Sequence, residues 1–262
     1  MSRLPAHFEN RFYYLRDLIS VLVARDMKLR YKRSVLGFAW SLLYPLAQML
    51  VLGFIFGTVL PLNIPNYPSF LICGLLAWNW FSTSLYQSAE AIVGNRDLIR
   101  RPGFPPIVLP VITVTSNLLH FLLALPMLAL FLFINDIHLT PAVLVLPLVI
   151  AVQFIFTLSL AYLIATFNVT FRDTQYLLGI FLTLGFYITP VFYSAAAIPA
   201  KYQTLYQLNP MVDLIEAYRI ILLAGQVPPV TSLLWPALIS FVLLFFGYRY
   251  FSGASDRFVE EL

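Results

Sequence analysis

Charge is what this 262-residue chain lacks: 11% of its residues are Asp, Glu, Lys or Arg, against 60% hydrophobic ones. A soluble domain carries about a quarter charged residues, so a water-facing globular surface is excluded and lipid is the solvent that fits. Cysteine is nearly missing too. Cys73 stands alone, which excludes an intrachain disulfide and a cysteine metal cluster and leaves packing as its expected role. His7, His120 and His138 are scattered, without the spacing of a metal site. No glycine is followed by lysine, so there is no phosphate-binding P-loop and the chain is not its own ATPase by that route. Mid-membrane carboxylates, the usual equipment of proton- and sodium-coupled carriers, are absent; Glu90 falls near the end of a span, within reach of water. No catalytic constellation is found, so the chain is not expected to be an enzyme. Work done on a solute would draw its energy from another polypeptide.

What is there is a set of long uncharged windows. No Asp, Glu, Lys or Arg occurs from Ser34 to Ala89, Pro102 to Asn135, Ile137 to Phe171, Thr174 to Ala200, or Ile220 to Tyr248. Since ~20 apolar residues cross the ~30 Å hydrocarbon core, and the first window divides near Pro61–Pro68, six helical spans are expected: 36–60, 69–92, 107–134, 142–166, 176–195 and 231–251. Runs such as Leu122–Ile134 lack the alternation of barrel strands. The fold class is therefore an all-α integral membrane protein. It reads as a single domain, 1–262: an interfacial helix and basic segment (1–35), the six-span bundle (36–251) and a tail (252–262).

With both termini inside, the inner segments hold fourteen cations from Arg3 to Arg257, and the outer ones only Lys201 and Arg219. That satisfies the positive-inside rule, so the net charge of +4 is a topology signal and implies no nucleic acid. Phe8, Phe12, Leu15, Leu18, Ile19 and Leu22 share one face of an N-terminal helix, predicted to lie in the inner interface. The basic run Arg25 to Arg33 either holds acidic lipid headgroups or simply anchors the first span. Asn95 to Arg101 predicts a short helix capped by Asn95 and stopped by Pro102-Gly103, with Leu98 and Ile99 among its charges read as a docking knob for a cytoplasmic partner or as part of an ordinary basic inner loop. Between spans five and six, Asn209-Pro210 predicts an N-cap and first helical residue, with Gly225 ending the helix. Short helices on either side of Asn209 are read as a re-entrant pair at a pore mouth or as an interfacial cover. On the third span, Thr113, Ser116, Asn117 and His120 form a stripe suited to interhelical hydrogen bonds.

Aromatic faces are the other positive feature. Trp40, Tyr44 and Gln48 share a face of the first span. Trp78, Trp80 and Phe81 open the second, followed by Ser84, Gln87 and Ser88; Tyr176, Thr183 and Tyr187 share a face of the fifth. Rings beside hydroxyls and amides suit sugar rings, whereas the interfacial belt would collect Trp and Tyr anyway. Successive residues advance about 100°, so Trp78 and Trp80 point apart, only one can line a pore and the other should anchor in lipid; the polar run after Trp80 favours Trp80 for the pore.

Four stretches carry a family resemblance: Arg30-Tyr31-Lys32-Arg33-Ser34-Val35-Leu36-Gly37 leading to Trp40 and Pro45; Gly74 and Trp78 with the loop from Asn95 to Pro105; Phe171-Arg172-Asp173; and Pro190-Val191-Phe192-Tyr193 with Leu208-Asn209-Pro210-Met211 and Tyr218-Arg219. In this order and spacing the chain resembles the membrane subunits of type-2 ABC exporters of polysaccharide, the O-antigen, capsule and teichoic acid group. The resemblance implies a homodimer docked on two cytoplasmic ATPase subunits, which bind ATP and Mg while this chain binds no cofactor. It implies a lipid-linked polysaccharide as substrate and the bacterial cytoplasmic membrane as location. It implies that spans one, two and five line the channel, and the aromatic faces on those spans give Trp40, Tyr44, Gln48, Trp78, Trp80, Phe81, Ser84 and Tyr187 as the candidate channel residues; the resemblance itself covers Trp78, the polar run Trp80. The implied ATPase-coupling loop is Asn95, Arg96, Asp97, Leu98, Ile99, Arg100 and Arg101, and the outer gate Tyr193, Asn209, Pro210 and Arg219. A type-2 exporter of lipids or drugs would share the fold without a continuous aromatic path. A membrane transferase would need paired carboxylates, and a structural scaffold would have no use for a coupling loop.

Overall fold

A computed structural model describes residues 6–32 and 39–261; Arg33 to Gly37 of the basic motif lie outside the described residues. The described residues fold into helices and their connections, with no strand among them; the long helices are α1 (Ala6–Tyr31), α2 (Ala39–Phe54, prolonged by a π-helical turn Ile55–Val59), α3 (Tyr67–Val93), α5 (Val108–Ile134), α6 (Leu146–Thr170, after a 3-10 turn Pro141–Val145), α7 (Thr174–Ile188) and α10 (Val230–Ala254). Short helices α4 (Arg96–Ile99), α8 (Ala200–Gln207), α9 (Pro210–Leu222) and α11 (Phe258–Glu261) fill the two ends.

Among the described residues, four segments are long and apolar enough to cross a membrane: Leu42–Val59, Val108–Ile134, Pro141–Thr170 and Val230–Arg257. The expected count of six rests on α3 and α7, which differ from those four for separate reasons. α3 is long enough, roughly 40 Å at 1.5 Å per residue, but less apolar. It is the hub, packed by α2, α5, α6, α7 and α9, and a helix surrounded by protein can carry the polar groups that lipid would reject. α7 has 15 residues, roughly 22 Å. It ends at Ile188 instead of the expected 195 because Pro190 drives Thr189 into an extended conformation (ψ 137°).

Two apolar clusters hold the bundle. The larger runs through α3, α5, α6 and α9. The smaller gathers one end: Val23 of α1, Ile92, Ile99, Leu109, Tyr162, Val169, Phe251 and Phe258. Leu15, Leu18, Ile19 and Leu22 of the N-terminal helix therefore pack on this cluster, and the helix lies against α5, a covered role beyond the interfacial one expected; the side chains of Phe8 and Phe12 lie outside the described residues. Residues 252–262 were expected to form a tail, yet Phe258 is buried with its ring 5.2 Å from Phe251. On one flank α6 and α10 pack closely enough that a Cβ on Gly247 would stand 2.7 Å from the Ser159 carbonyl oxygen. On the other flank α2 and α7 lean mainly against α3, with smaller contacts to α5 and α6 respectively, and leave most of their surface uncovered.

Candidate functional site

The uncovered flank is built from three helices. α2 presents Trp40 and Tyr44, 60% and 61% exposed, and α7 presents Tyr176, Phe181 and Tyr187, with Tyr176 at 77%. Between them α3 shows the stripe Asn79, Ser82, Thr83, Tyr86 and Glu90, three to four residues apart as one helix face requires. Gln48 accepts a 2.9 Å hydrogen bond from the Asn79 amide and joins α2 to that stripe. A groove of about 360 Å³ between α3 and α7 is lined by Tyr86, Gln175, Tyr176, Gly179, Ile180, Thr183 and Leu184. Trp40, Tyr44, Gln48 and Tyr187 thus come to one open flank with the Tyr176–Thr183 face.

The register on α3 differs from the expected one by a single residue. Trp80, expected to line a channel, is 3% exposed and stacks on Phe121 of α5 at 5.1 Å. Trp78, expected in that case to meet lipid, is also buried; its ring meets Phe186 and lies 3.1 Å from the Cβ position of Gly185, both on α7. The two indoles do leave α3 in opposite directions, but each finds protein. Phe81 stacks on Phe156 of α6 at 5.6 Å. Ser84 and Ser88, read as a continuing polar face, are fully buried and donate to the carbonyls of Trp80 and Ser84, one turn back. A serine satisfied by its own helix needs no water and lets neighbours approach. Tyr86 was missed, although its spacing from Asn79 and Thr83 was available in the sequence.

At the end carrying α8 and α9, the turn after α7 is clamped. Arg219 of α9 is 4% exposed and donates to the Pro190 carbonyl at 2.8 Å and the Val191 carbonyl at 2.6 Å. Its guanidinium lies 3.5 Å above the Phe70 ring centroid, with Glu216 at 3.8 Å. Tyr67 donates to the Phe192 carbonyl at 2.8 Å. A Cβ on Gly74 would sit 2.6 Å from the Val191 oxygen, so glycine is what admits this strand of backbone against α3. Arg219, expected as an outer cation, is a buried fastener. Asn209 caps α9 as anticipated, accepting from Met211 N–H at 3.1 Å, and donates to Thr189 at 2.9 Å; Pro210 follows at the first turn. Tyr193 donates to the Ile188 carbonyl. The four expected gate residues thus meet around one turn.

At the opposite end α4 exposes Arg96 and Asp97 and the turn after it Arg100 and Arg101, with Gly103 following at φ +80°. Two expectations change here. Asn95 does not cap α4 through its side chain; its amide donates back to the Ala91 carbonyl at 3.0 Å. Ile99 is buried in the smaller cluster and Leu98 half-buried, so any docking face on this loop is charged. Nearby, Arg30 of α1 donates to Gln87 at 2.7 Å and Asn117 at 3.1 Å, while Asn117 donates to Gln87 at 2.9 Å. Asn117 does bridge helices as expected; Arg30 as its partner was missed. A groove of about 740 Å³ along α1 is lined by Val21, Ala24, Arg25, Lys28, Leu29 and Lys32.

A polytopic helical bundle with an open flank, a clamped turn at one end and a basic loop at the other has the parts of a transporter's membrane subunit. The ABC-2 type transporter family profile matches residues 17–223, and the chain belongs to that family. Such membrane subunits are not enzymes; ATP is hydrolysed on separate chains. The chain is 39% identical to an "O-antigen export system permease protein RfbA" of Myxococcus xanthus, over 95% of this chain and 97% of that one. It is 34% identical to a protein of the same description from Klebsiella pneumoniae (95% and 96%). It is 25% identical to the "Polysialic acid transport protein KpsM" of Escherichia coli (87% and 90%).

Proposed function

We propose that this chain is the permease subunit of an ATP-driven exporter that passes a lipid-linked polysaccharide of the O-antigen, capsule or teichoic acid type outward across the bacterial cytoplasmic membrane. Two copies face each other across their α2–α3–α7 flanks and enclose the path, since one bundle of this size does not surround a sugar chain. All six expected spans cross, α7 completing its passage through the clamped turn. Both termini and the basic loop are cytoplasmic, where two ATPase subunits carry ATP and Mg and meet Arg96, Asp97, Arg100 and Arg101. The α1 groove with Arg25, Lys28 and Lys32 rests on acidic lipid headgroups, an attraction of ~1 kcal/mol per cation. The turn held by Arg219, with Tyr193, Asn209 and Pro210, gates the outer end.

The observation that carries this reading is the open flank itself: rings and hydroxyls on α2, α3 and α7, in a chain matching polysaccharide permeases over almost its whole length. Aromatic rings offer apolar faces to sugar C–H groups while Gln, Thr and Tyr pair with hydroxyls. The test is to delete the gene, count surface polysaccharide per cell, and purify the tagged chain. Loss of surface polymer, restored by the wild-type chain with an ATPase subunit co-purifying, is the expected result. Unchanged surface polymer with loss of lipid or drug efflux would replace polysaccharide by a small amphiphile as the cargo.

A further inference from the structure

A further groove lies away from the open flank, where α8, α9 and the start of α10 converge. It measures about 440 Å³ and is lined by Thr204, Gln207, Leu208, Asp213, Thr231, Ser232 and Trp235. We propose that this groove is a saccharide-binding site, taking one pyranose residue with its ring against Trp235 and its hydroxyls on Asp213, Gln207, Thr204 and Thr231.

Two helical stripes and one helix start build it. Thr204, Gln207 and Leu208 are three and four residues apart at the end of α8, with Leu208 as its cap, and Thr231, Ser232 and Trp235 are similarly spaced on α10, so each trio occupies one face. Asp213 comes from the first turn of α9. In a chain that is 60% hydrophobic, five of the seven lining residues are polar, and the indole supplies the apolar platform. The volume falls within the ~300–1,000 Å³ of small-ligand clefts. Ser232 is occupied, donating to the Pro229 carbonyl at 2.7 Å, which leaves Thr, Gln and Asp groups to face the groove. Burial pushes the Asp213 carboxyl up to about 6. At neutral pH it is therefore an ionised acceptor that has lost part of its water, and hydroxyl donors would restore its hydrogen bonds. Two blander roles compete. Asp213 favours the N-terminus of α9 electrostatically, and a tryptophan at a span end suits the interfacial belt. Neither accounts for the polar residues of α8 and α10 converging on that ring.

The site stands on its own residues and goes beyond the export reading, because it lies on the α10 side and not along the α2–α3–α7 flank. The test uses the full chain with its ATPase partner in nanodiscs, labelled with 5-fluorotryptophan, and reads the fluorine resonance of Trp235, assigned with Trp235→Phe. Glucose, galactose, mannose, rhamnose and N-acetylglucosamine are titrated, with glycerol as a polyol control. The expected result is a saturable shift of the Trp235 resonance with at least one sugar and none with glycerol, while Trp78 and Trp80 stay still. Asp213→Asn and Thr231→Val should each weaken that binding by roughly tenfold, the worth of one hydrogen bond to a charged or well-placed group. No shift with any sugar, an equal shift with glycerol, or binding untouched by both variants overturns the proposal. A Trp235 response to lipid headgroup exchange alone assigns the groove to lipid and equally rejects it. Sugar binding at Trp235 in a strain whose surface polymer survives gene deletion would leave this site standing and remove the export reading, so the two fail separately.

Discussion

The two faces of α3 have nearly the same chemistry and opposite surroundings. One carries Trp80, Ser84 and Ser88 and is closed against the body of the bundle; the other carries Asn79, Thr83, Tyr86 and Glu90 and is open. Both read as aromatic-polar stripes. The difference lies in how each polar group is satisfied. Ser84 and Ser88 turn back on their own helix and so act as small residues that admit α5 and α6. Asn79 reaches across to Gln48, and Tyr86 edges a groove with α7. In a membrane bundle, small hydroxyls mark close packing as often as they mark a path.

The comparison extends to the flanks: α6 and α9 pack on the hub and α10 is locked onto α6, whereas α2 and α7 leave most of their surface uncovered. It breaks most directly at the locked end. Arg219→Ala leaves two buried carbonyls without donors and should cost about 3 kcal/mol or more, read as a large fall in melting temperature and membrane abundance. Arg219→Lys should recover only part, since an ammonium lacks the two-pronged geometry. Gly74→Ala, with its Cβ 2.6 Å from the Val191 oxygen, should lose about 1–3 kcal/mol by overpacking, and Gly247→Ala a similar amount by parting α6 from α10.

The open side should respond in the reverse sense. Gly179→Ala meets only a Tyr86 ring atom at 3.6 Å, so stability should change by less than about 0.5 kcal/mol. Trp80→Ala should cost about 3–5 kcal/mol and cut abundance, while Tyr86→Ala and Tyr176→Ala should keep abundance and cut polymer export per molecule. Equal losses of abundance at Trp80 and Tyr86 would erase the distinction between the two faces of α3.

At the basic end the same logic separates two kinds of loop residue. Ile99→Ser should destabilise by about 2–5 kcal/mol as a core truncation. Arg96, Arg100 and Arg101 changed together to Gln should leave the fold intact and uncouple ATP hydrolysis from export. Normal export in that triple variant would move the docking element elsewhere. The smallest effect is on topology alone. In a Cys73→Ser background, an impermeant thiol reagent on intact cells should label a cysteine at Lys201 and spare one at Arg101, without loss of function in either.

Much of this was legible in the sequence because its signals are local. Uncharged windows located five of the six apolar segments to within a few residues; Asn209-Pro210 announced the start of α9; Pro190 was present to end α7, but the apolar run beyond it masked the stop. The choice between the faces of α3 was not legible, since a period of 3.6 finds stripes without saying which neighbour covers them. The Arg219 clamp was hidden for a related reason. Its partners are backbone carbonyls 28 and 29 residues away, and carbonyls have no letter in a sequence. Ile99 looked like an exposed knob because its loop is charged, whereas its cover comes from the far ends of α1, α10 and α11.

The central claim is that polymer travels along the α2–α3–α7 flank. The direct measurement places a photoreactive amino acid singly at Tyr86, Tyr176 and Trp80, irradiates cells during polymer synthesis, and probes the purified chain for attached polysaccharide. The account predicts polymer on the Tyr86 and Tyr176 variants and none on the Trp80 variant at matched abundance. Polymer captured from Trp80 but from neither tyrosine would contradict it.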